Sequence, residues 1–427
     1  MKWLSVRLER LISMYGGGTP SKQNPSFWKG DIPWVSPKDM SVREIHDSQD
    51  HITQEAVEKS TTQLVPAGSV LVVVRSGILV RKIPIGIAQR PLAINQDMKA
   101  LVPNQAVLDS RFLSYFLESN QQTLLTGYVK RGATVHSLQV DKLKSMIVQL
   151  PPTSEQRRIV EILDEAASLS RRRVEADASI SRIIPTLFHK MFGDLISNSC
   201  GWKKEPITKL CVKEDGIKCG PFGTQLSNKE YQQEGVPLWG IKHVNAGFVI
   251  KTTEFISQEK ADYLEGYRIL PDDIIMTRKG TVGNCSVYPD GYPTGIMHSD
   301  LLRIRVNRKK ASPSFLAFQL KLSPAVINQI ATISGGAVMA GINVTRLKSL
   351  VVHVPPLEKQ VQFEQHAMET LRLLERIRHT QERISRLFDF LLHRAFTGDL
   401  TAKWREAHMK ELLTEMEHQQ SCLEMTK

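Results

Sequence analysis

Residues 143–152 read LKSMIVQLPP, and residues 347–356 read LKSLVVHVPP. Lys144-Ser145 stands against Lys348-Ser349 and Pro151-Pro152 against Pro355-Pro356, at an offset of about 204 residues. A chance likeness of one short string would lose its register on either side, and this one keeps it. Upstream, Gly132-Ala133 aligns with Gly336-Ala337, Phe112-Leu113 with Phe315-Leu316, Arg75-Ser76-Gly77 with Arg278-Lys279-Gly280, and Ile32-Pro33 with Val236-Pro237. Trp3 and Leu11 find counterparts in Trp202 and Leu210. Downstream, LFHKMFGDL ending at Leu195 returns, with one inserted residue, as LLHRAFTGDL ending at Leu400. The chain is a tandem duplication, and its 427 residues suit two or three domains better than one core.

Each copy holds roughly 150 mixed residues followed by roughly 40 of helical character. The mixed parts predict α/β (α+β) domains: LVVVR (71–75) and IIMTR (274–278) are β-rich runs, while SRFLSYFLES (110–119) and PSFLAFQLKL (313–322) are short helices. The expected division is a first domain over 1–152, a spacer helix over 153–195, a second domain over 196–356, a spacer helix over 357–400 and a helical tail over 401–427. The tail reads as a docking extension or, slightly favoured, a frayed end.

After Pro151-Pro152, Thr153 or Ser154 is placed to cap a helix, and Glu155 or Gln156 falls in its first turn, where the dipole favours acidic and amide groups. From there Ile159, Ile162, Ala166, Leu169, Ala176, Ile180, Ile183 and Leu187 follow steps of three and four, interrupted at Arg173. Phe363, Leu373, Ile377, Ile384, Leu387 and Leu391 form a comparable stripe in the second copy. Such a stripe must be buried. Its economical partner is the other copy, in an antiparallel coiled-coil pair; the alternative is two amphipathic helices packed separately on their own domains. A helix of about 39 residues spans roughly 58 Å. Pro185 predicts a kink or an early last turn.

The net charge of +12 and pI near 9.4 suit a polyanionic partner, because cations that neutralise phosphates release condensed counterions, although a solvated basic surface explains the charge equally well. Cys200, Cys211, Cys219, Cys285 and Cys422 form no CxxC pair, so no metal site is expected and reduced thiols in a cytoplasmic protein fit better. No export signal or membrane span is expected. Phosphate-loop, zinc-protease and nucleophile-elbow motifs are missing from the sequence. Pro271-Asp272-Asp273 near Arg278-Lys279 resembles a nuclease acid cluster, but the first copy offers Pro66-Ala67-Gly68 there, which makes the acids turn residues. No catalytic residue is expected in this chain.

Two similar domains at a fixed separation suit a reader of two similar half-sites on double-stranded DNA. Lys38 and Lys242 occupy equivalent places, as do Arg75 and Arg278, and duplicate cations suit phosphate contacts; ordinary surface lysines and a structural arginine are the plain alternative. Lys130, Arg131, Lys279 and Thr281 sit in glycine-containing loops open to close backbone approach, or to mere solvation. Gln225, Asn228, His243 and Asn245 are available for base readout, with no ground for choosing among them. Trp34 and Trp239 are expected in the core.

The order of globular domain, Pro-Pro-x-x-Glu-Gln-type helix start and long helix ending in a Phe-x-Gly-Asp-Leu-type string, repeated once, resembles the specificity subunits of Type I restriction-modification systems. The string IKCGPFGTQLSNKEYQQEGVPLWGIKHVN (217–245) is similar to target recognition domains of that family in its Gly-Pro-Phe-Gly turn and Gly-Val-Pro. GGGTPSKQNPSFWKGDIPWVSPKDM (16–40) is a looser match without Pro-Phe-Gly. The resemblance implies a non-catalytic subunit that recognises a bipartite, interrupted site, the paired helices acting as ruler and docking surface. It implies two modification (methyltransferase) subunits that bring S-adenosylmethionine, and restriction subunits that use ATP and Mg. A protein-binding coiled-coil scaffold with incidental basic charge stays open, as does an enzyme with an unrecognised site.

Overall fold

A computed structural model describes residues 2–180, 182–222, 225–335 and 341–425; within the spacer helices, the side chains at 174, 177–180, 375, 377–382 and 385 are not described. The chain forms two compact units, Met1–Arg173 with Thr380–Lys427, and Val174–His379. The division therefore cuts both spacer helices rather than following the ends of the repeats.

In the first unit, Val70–Val73 is apolar on both faces and buried throughout, as a strand covered on both sides must be. It lies within a five-stranded sheet ordered Ile12–Gly16, Met98–Pro103, Val70–Val73, Ile85–Ala88, Glu44–Ile45. A second sheet runs Asp50–Ile52, Ile32–Val35, Leu92–Ile94, Leu64–Val65. Among the described residues, the second unit repeats these two sheets strand for strand except for the edge strand Glu44–Ile45. One sheet runs Ile217–Cys219, Leu301–Ile304, Ile274–Thr277, Cys285–Val287, and the other Phe255–Ile256, Val236–Trp239, Gly295–Met297, Arg268–Ile269. In both units the single parallel pair of the second sheet is duplicated, Ile32–Val35 on Leu92–Ile94 and Val236–Trp239 on Gly295–Met297. Trp34 and Trp239 are buried, as expected. The duplication reaches individual glycines. A Cβ on Gly17 would lie 1.8 Å from the Asn95 carbonyl oxygen, and one on Gly220 2.1 Å from that of His298, so neither site admits a side chain.

The first spacer is two helices, Thr153–Ile180 and Ile183–Phe192, with Pro185 in the first turn of the second, where a missing N–H costs nothing. The second spacer is one helix, Leu357–Thr397. Both end on a glycine in the left-handed region, Gly193 (φ 73°) and Gly398 (φ 84°), which explains the glycine before Asp-Leu in both copies. At the helix starts, the glutamine expected merely to sit in the first turn is a buried clamp. Gln156 Oε1 accepts from Asp109 N while its Nε2 donates to the Val107 and Pro151 carbonyls. Gln360 does the same with Ser312 N and the Pro355 carbonyl.

The helix ends change partners between copies. Phe192, from the first copy, packs 4.6 Å from Phe315 of the second domain and beside Phe363. Phe396, from the second copy, packs 5.2 Å from Phe112 of the first domain. Phe112 and Phe315 are equivalent in the duplication, and so are Phe192 and Phe396. Each unit thus comprises one domain, the opening turns of its own helix and the closing turns of the other copy's helix.

The apolar stripe expected as one seam is accordingly divided. Ile159 is buried in the first domain's core and Leu391 packs against that core, while Phe363 and Leu187 belong to the second unit's aromatic cluster. Ile162, Ala166 and Ile384 are half-buried, and Leu169, Ile183, Leu373 and Leu387 are exposed. The side chains of Ile180 and Ile377 lie outside those described.

The tail is not a frayed end. Helices Ala402–Ala407 and Met409–Met425 pack on the first domain, with Leu412 and Gln419 buried and Leu423 in its core. Glu155, fully buried, accepts from Trp3 Nε1 (3.0 Å), Thr401 Oγ1 (2.6 Å) and Arg405 Nε (2.7 Å). Glu415 caps the first spacer helix, accepting from Ser154 N at 2.9 Å. Gln419 donates to the same Val107 and Pro151 carbonyls as Gln156. Apart from Leu412 and Leu423 the tail's attachment is polar, and hydrophobic periodicity does not record polar contacts, so this docking was hidden from the sequence.

Candidate nucleic-acid interface

In the first domain a small antiparallel sheet of Val129–Lys130, His136–Leu138 and Arg75–Ser76 positions the basic candidates. Arg75 and Lys130 are both in register with Ser137, on either side of it, so they share one face of the sheet about 10 Å apart. Arg131 follows in the turn, where Gly132 N donates to His136 Nδ1. All three basic side chains are exposed. The structure thus brings Arg75, Lys130 and Arg131 together as a basic row, which their separation in sequence concealed.

Arg278 is anchored as Arg75 is. The Arg75 backbone N–H donates to Asp97 O and that of Arg278 to Asp300 O. Beside Arg278, Asn245 Oδ1 accepts from Thr281 Oγ1 (3.0 Å) and Asn284 Nδ2 (2.7 Å), joining the helix Ile241–Asn245 to the 278–284 turn. Lys279 Nζ lies 3.1 Å from Asp300. The Arg278 guanidinium sits over the Phe222 ring, 5.0 Å from its centroid. Arg278, Lys279, Thr281 and Asn245 therefore form one polar, basic face, to which Asn284 and Phe222 are additions. Neither was a candidate, because nothing in a single sequence places them beside Arg278 and Asn245.

Other candidates fall elsewhere. Lys38 pairs with Asp50 at 2.8 Å and Lys242 with Glu254 at 3.1 Å, both across 12 residues, so the duplicated lysines carry a duplicated acidic partner. The Asp50 hydrogen bond holds the Lys38 ammonium above the usual lysine range. These pairs brace the turn after the Ile-Pro and Val-Pro strands, and their lysines reach a phosphate only by exchanging partners. His243 is fully buried, with Nδ1 accepting from Gly240 N and its ring 5.0 Å from Trp239; burial and the Lys242 charge push its pKa down. It is a core residue and contacts no base from there. Gln225 Oε1 is occupied by Phe222 N and Tyr267 Oη, while Asn228 is exposed. The acid cluster is structural: Asp273 is buried and takes two bonds from Arg305, and Asp272 pairs with Arg308 in a left-handed turn (φ 72°).

A family model described as the Type I restriction modification DNA specificity domain matches residues 1–172 and again residues 217–379. The chain belongs to that family. The two specificity-domain matches fall one in each compact unit. The chain is similar to the EcoR124I/EcoR124II specificity subunit of Escherichia coli, 43% identical over 162 residues, which is 38% of this chain and 40% of that one. It is also similar to the MjaIX specificity subunit of Methanocaldococcus jannaschii, 24% identical over 277 residues, 60% of this chain and 61% of the relative. The chain thus matches less than two thirds of the length of either relative. Two solved structures share its fold. One comes from work on complex assembly and conformational transition of the type I R-M system, with TM-score 0.58, 18% identity, and coverage of 93% of this chain and 98% of that one. The other is the S subunit from M. genitalium, with TM-score 0.56, 14% identity, and coverage of 93% and 96%.

Proposed function

We propose that this specificity-domain chain is the DNA-reading subunit of a Type I restriction-modification system and catalyses nothing itself. The observation that carries the reading is that the family's domain occurs twice, once in each compact unit, with Arg75 and Arg278 anchored alike beside polar, cationic faces. Each domain, over 1–152 and 196–356, reads one half of an interrupted duplex site. Arg75, Lys130 and Arg131 contact phosphates for the first; Arg278, Lys279, Thr281, Asn245 and Asn228 contact phosphates or bases for the second. Lys38 and Lys242 contribute through the turns they brace.

The spacer helices, 153–195 and 357–400, run antiparallel as a pair and set the gap. The exchange of Phe192 and Phe396 between copies supports this, because each helix ends on the domain from which the other departs. Partner subunits supply the chemistry: two modification subunits with S-adenosylmethionine methylate adenine, and restriction subunits use ATP and Mg. The complex works in the cytoplasm; no helix among the described residues is long and apolar enough to cross a membrane.

Mapping methylated adenines in a host with and without the chain tests this. The expected result is one split motif that vanishes when the chain is deleted. Methylation unchanged by the deletion, with salt-insensitive capture of proteins instead of duplex, would establish the scaffold reading.

A further inference from the structure

The second domain's polar face carries one side chain that phosphate recognition does not explain. Phe222 is 52% exposed, although an aromatic ring is among the costliest apolar groups to leave in water. It is not loosely held. Its backbone N–H donates to Gln225 Oε1 at 3.0 Å, the Gln225 N–H returns to the Phe222 carbonyl at 3.0 Å, and the Tyr267 hydroxyl donates to the same Oε1 at 3.1 Å. The turn before it is pinned where Gly220 presses on the His298 carbonyl. The Arg278 guanidinium stands over the ring, and its Nη1 donates to the Ser299 carbonyl at 3.4 Å. In the first domain, two residues beyond the equivalent glycine, stands the polar Thr19, bonded to Gln96.

Taking the DNA-reading assignment as its basis, we propose that Phe222 is an apolar base-contacting residue of the second domain. Its open surface packs on a nucleobase of that domain's half-site, with Arg278 behind the ring. A preformed aromatic beside a cation suits a base edge in a duplex groove, where the ring meets an apolar group such as a thymine methyl while nearby phosphates attract the guanidinium. A protein surface would not need the surrounding Arg278, Lys279 and amide side chains. The contact is one-sided, since Thr19 offers the first half-site no such ring.

The experiment measures binding of the full chain, with its modification subunits, to a synthetic duplex bearing the mapped split site across a salt series. Apolar contacts release no counterions, so Phe222→Ala should weaken binding about tenfold at every salt concentration, leaving the slope of log K against log salt unchanged. Phe222→Tyr should bind within about threefold of the native chain. An abasic scan should locate the base: at one position of the second half-site, base removal weakens the native chain but not Phe222→Ala. Native affinity in Phe222→Ala, a changed salt slope, or abasic penalties alike in both proteins at every position would overturn the proposal. An unaltered melting midpoint separates these outcomes from misfolding. If the native chain itself fails to prefer the split site, the functional reading fails and takes this inference with it.

Discussion

His353 lies buried in the strand Val351–Val354, where the first copy carries Gln149 in the equivalent strand. Burial, and secondarily the Lys204 charge, depress its pKa below the ordinary 6.5. The unfolded chain therefore takes up the proton first. The stability held by the neutral ring is full above about pH 6.5 and is lost as pH falls through the lower folded value. His243, buried in the same unit with its pKa depressed likewise, adds to the effect. The second unit should lose protection from hydrogen exchange between pH 7 and 5 more steeply than the first, and His353→Gln should flatten that loss. Equal acid sensitivity in the variant would count against the assignment. At this scale the sequence was least informative. His243 and Asn245 stand two positions apart and look alike as base readers, yet one is fully buried and the other joins a surface network, because orientation on the short helix Ile241–Asn245 decides it. Lys38 and Lys242 were recognisable as duplicates, but their acidic partners 12 residues away became visible only through the fold.

Among the elements, the helix ends make the sharpest test, because sequence order and packing disagree there. Phe192→Ala should cost about 3–5 kcal/mol, the usual range for emptying a buried phenylalanine site. The loss should appear in the second unit, although Phe192 lies in the first copy; Phe396→Ala should weaken the first unit. Exchange measured peptide by peptide distinguishes this from helices packed only on their own domains, for which the pattern would be reversed. The tail gives a smaller effect. Glu415→Ala removes the cap on Ser154 N and should lower the first unit's stability by about 1 kcal/mol in denaturant melts. Much at this scale was legible, since helix starts, terminal glycines and the Pro185 interruption all follow from local backbone rules. The destination of the stripe was not. Ile159, Phe363, Leu187 and Leu391 have the spacing of a coiled-coil seam, and periodicity records that a face is buried without recording against what.

For the whole molecule, the duplication at 143–152 and 347–356 made the tandem architecture readable at once, whereas the exchange that defines the compact units depends on contacts such as Phe192 with Phe315 and Phe112 with Phe396, between residues far apart in sequence. If the spacer helices are the ruler, gap length and half-site identity are separable properties. Replacing residues 1–152 with the equivalent domain of another family member should change one half of the methylated motif and leave both the other half and the gap untouched. Inserting four residues after Leu169, at an exposed position of the first spacer helix, should do the converse. Four residues extend a helix by about 6 Å, longer than one base-pair step of duplex DNA at roughly 3.4 Å, so the preferred gap must widen while both half-site sequences persist. Motif mapping by adenine methylation reads both outcomes. A chain with the insertion that still methylates the original gap would mean that the distance is set by the domains or the partner subunits, and the helices would lose their assignment as the ruler.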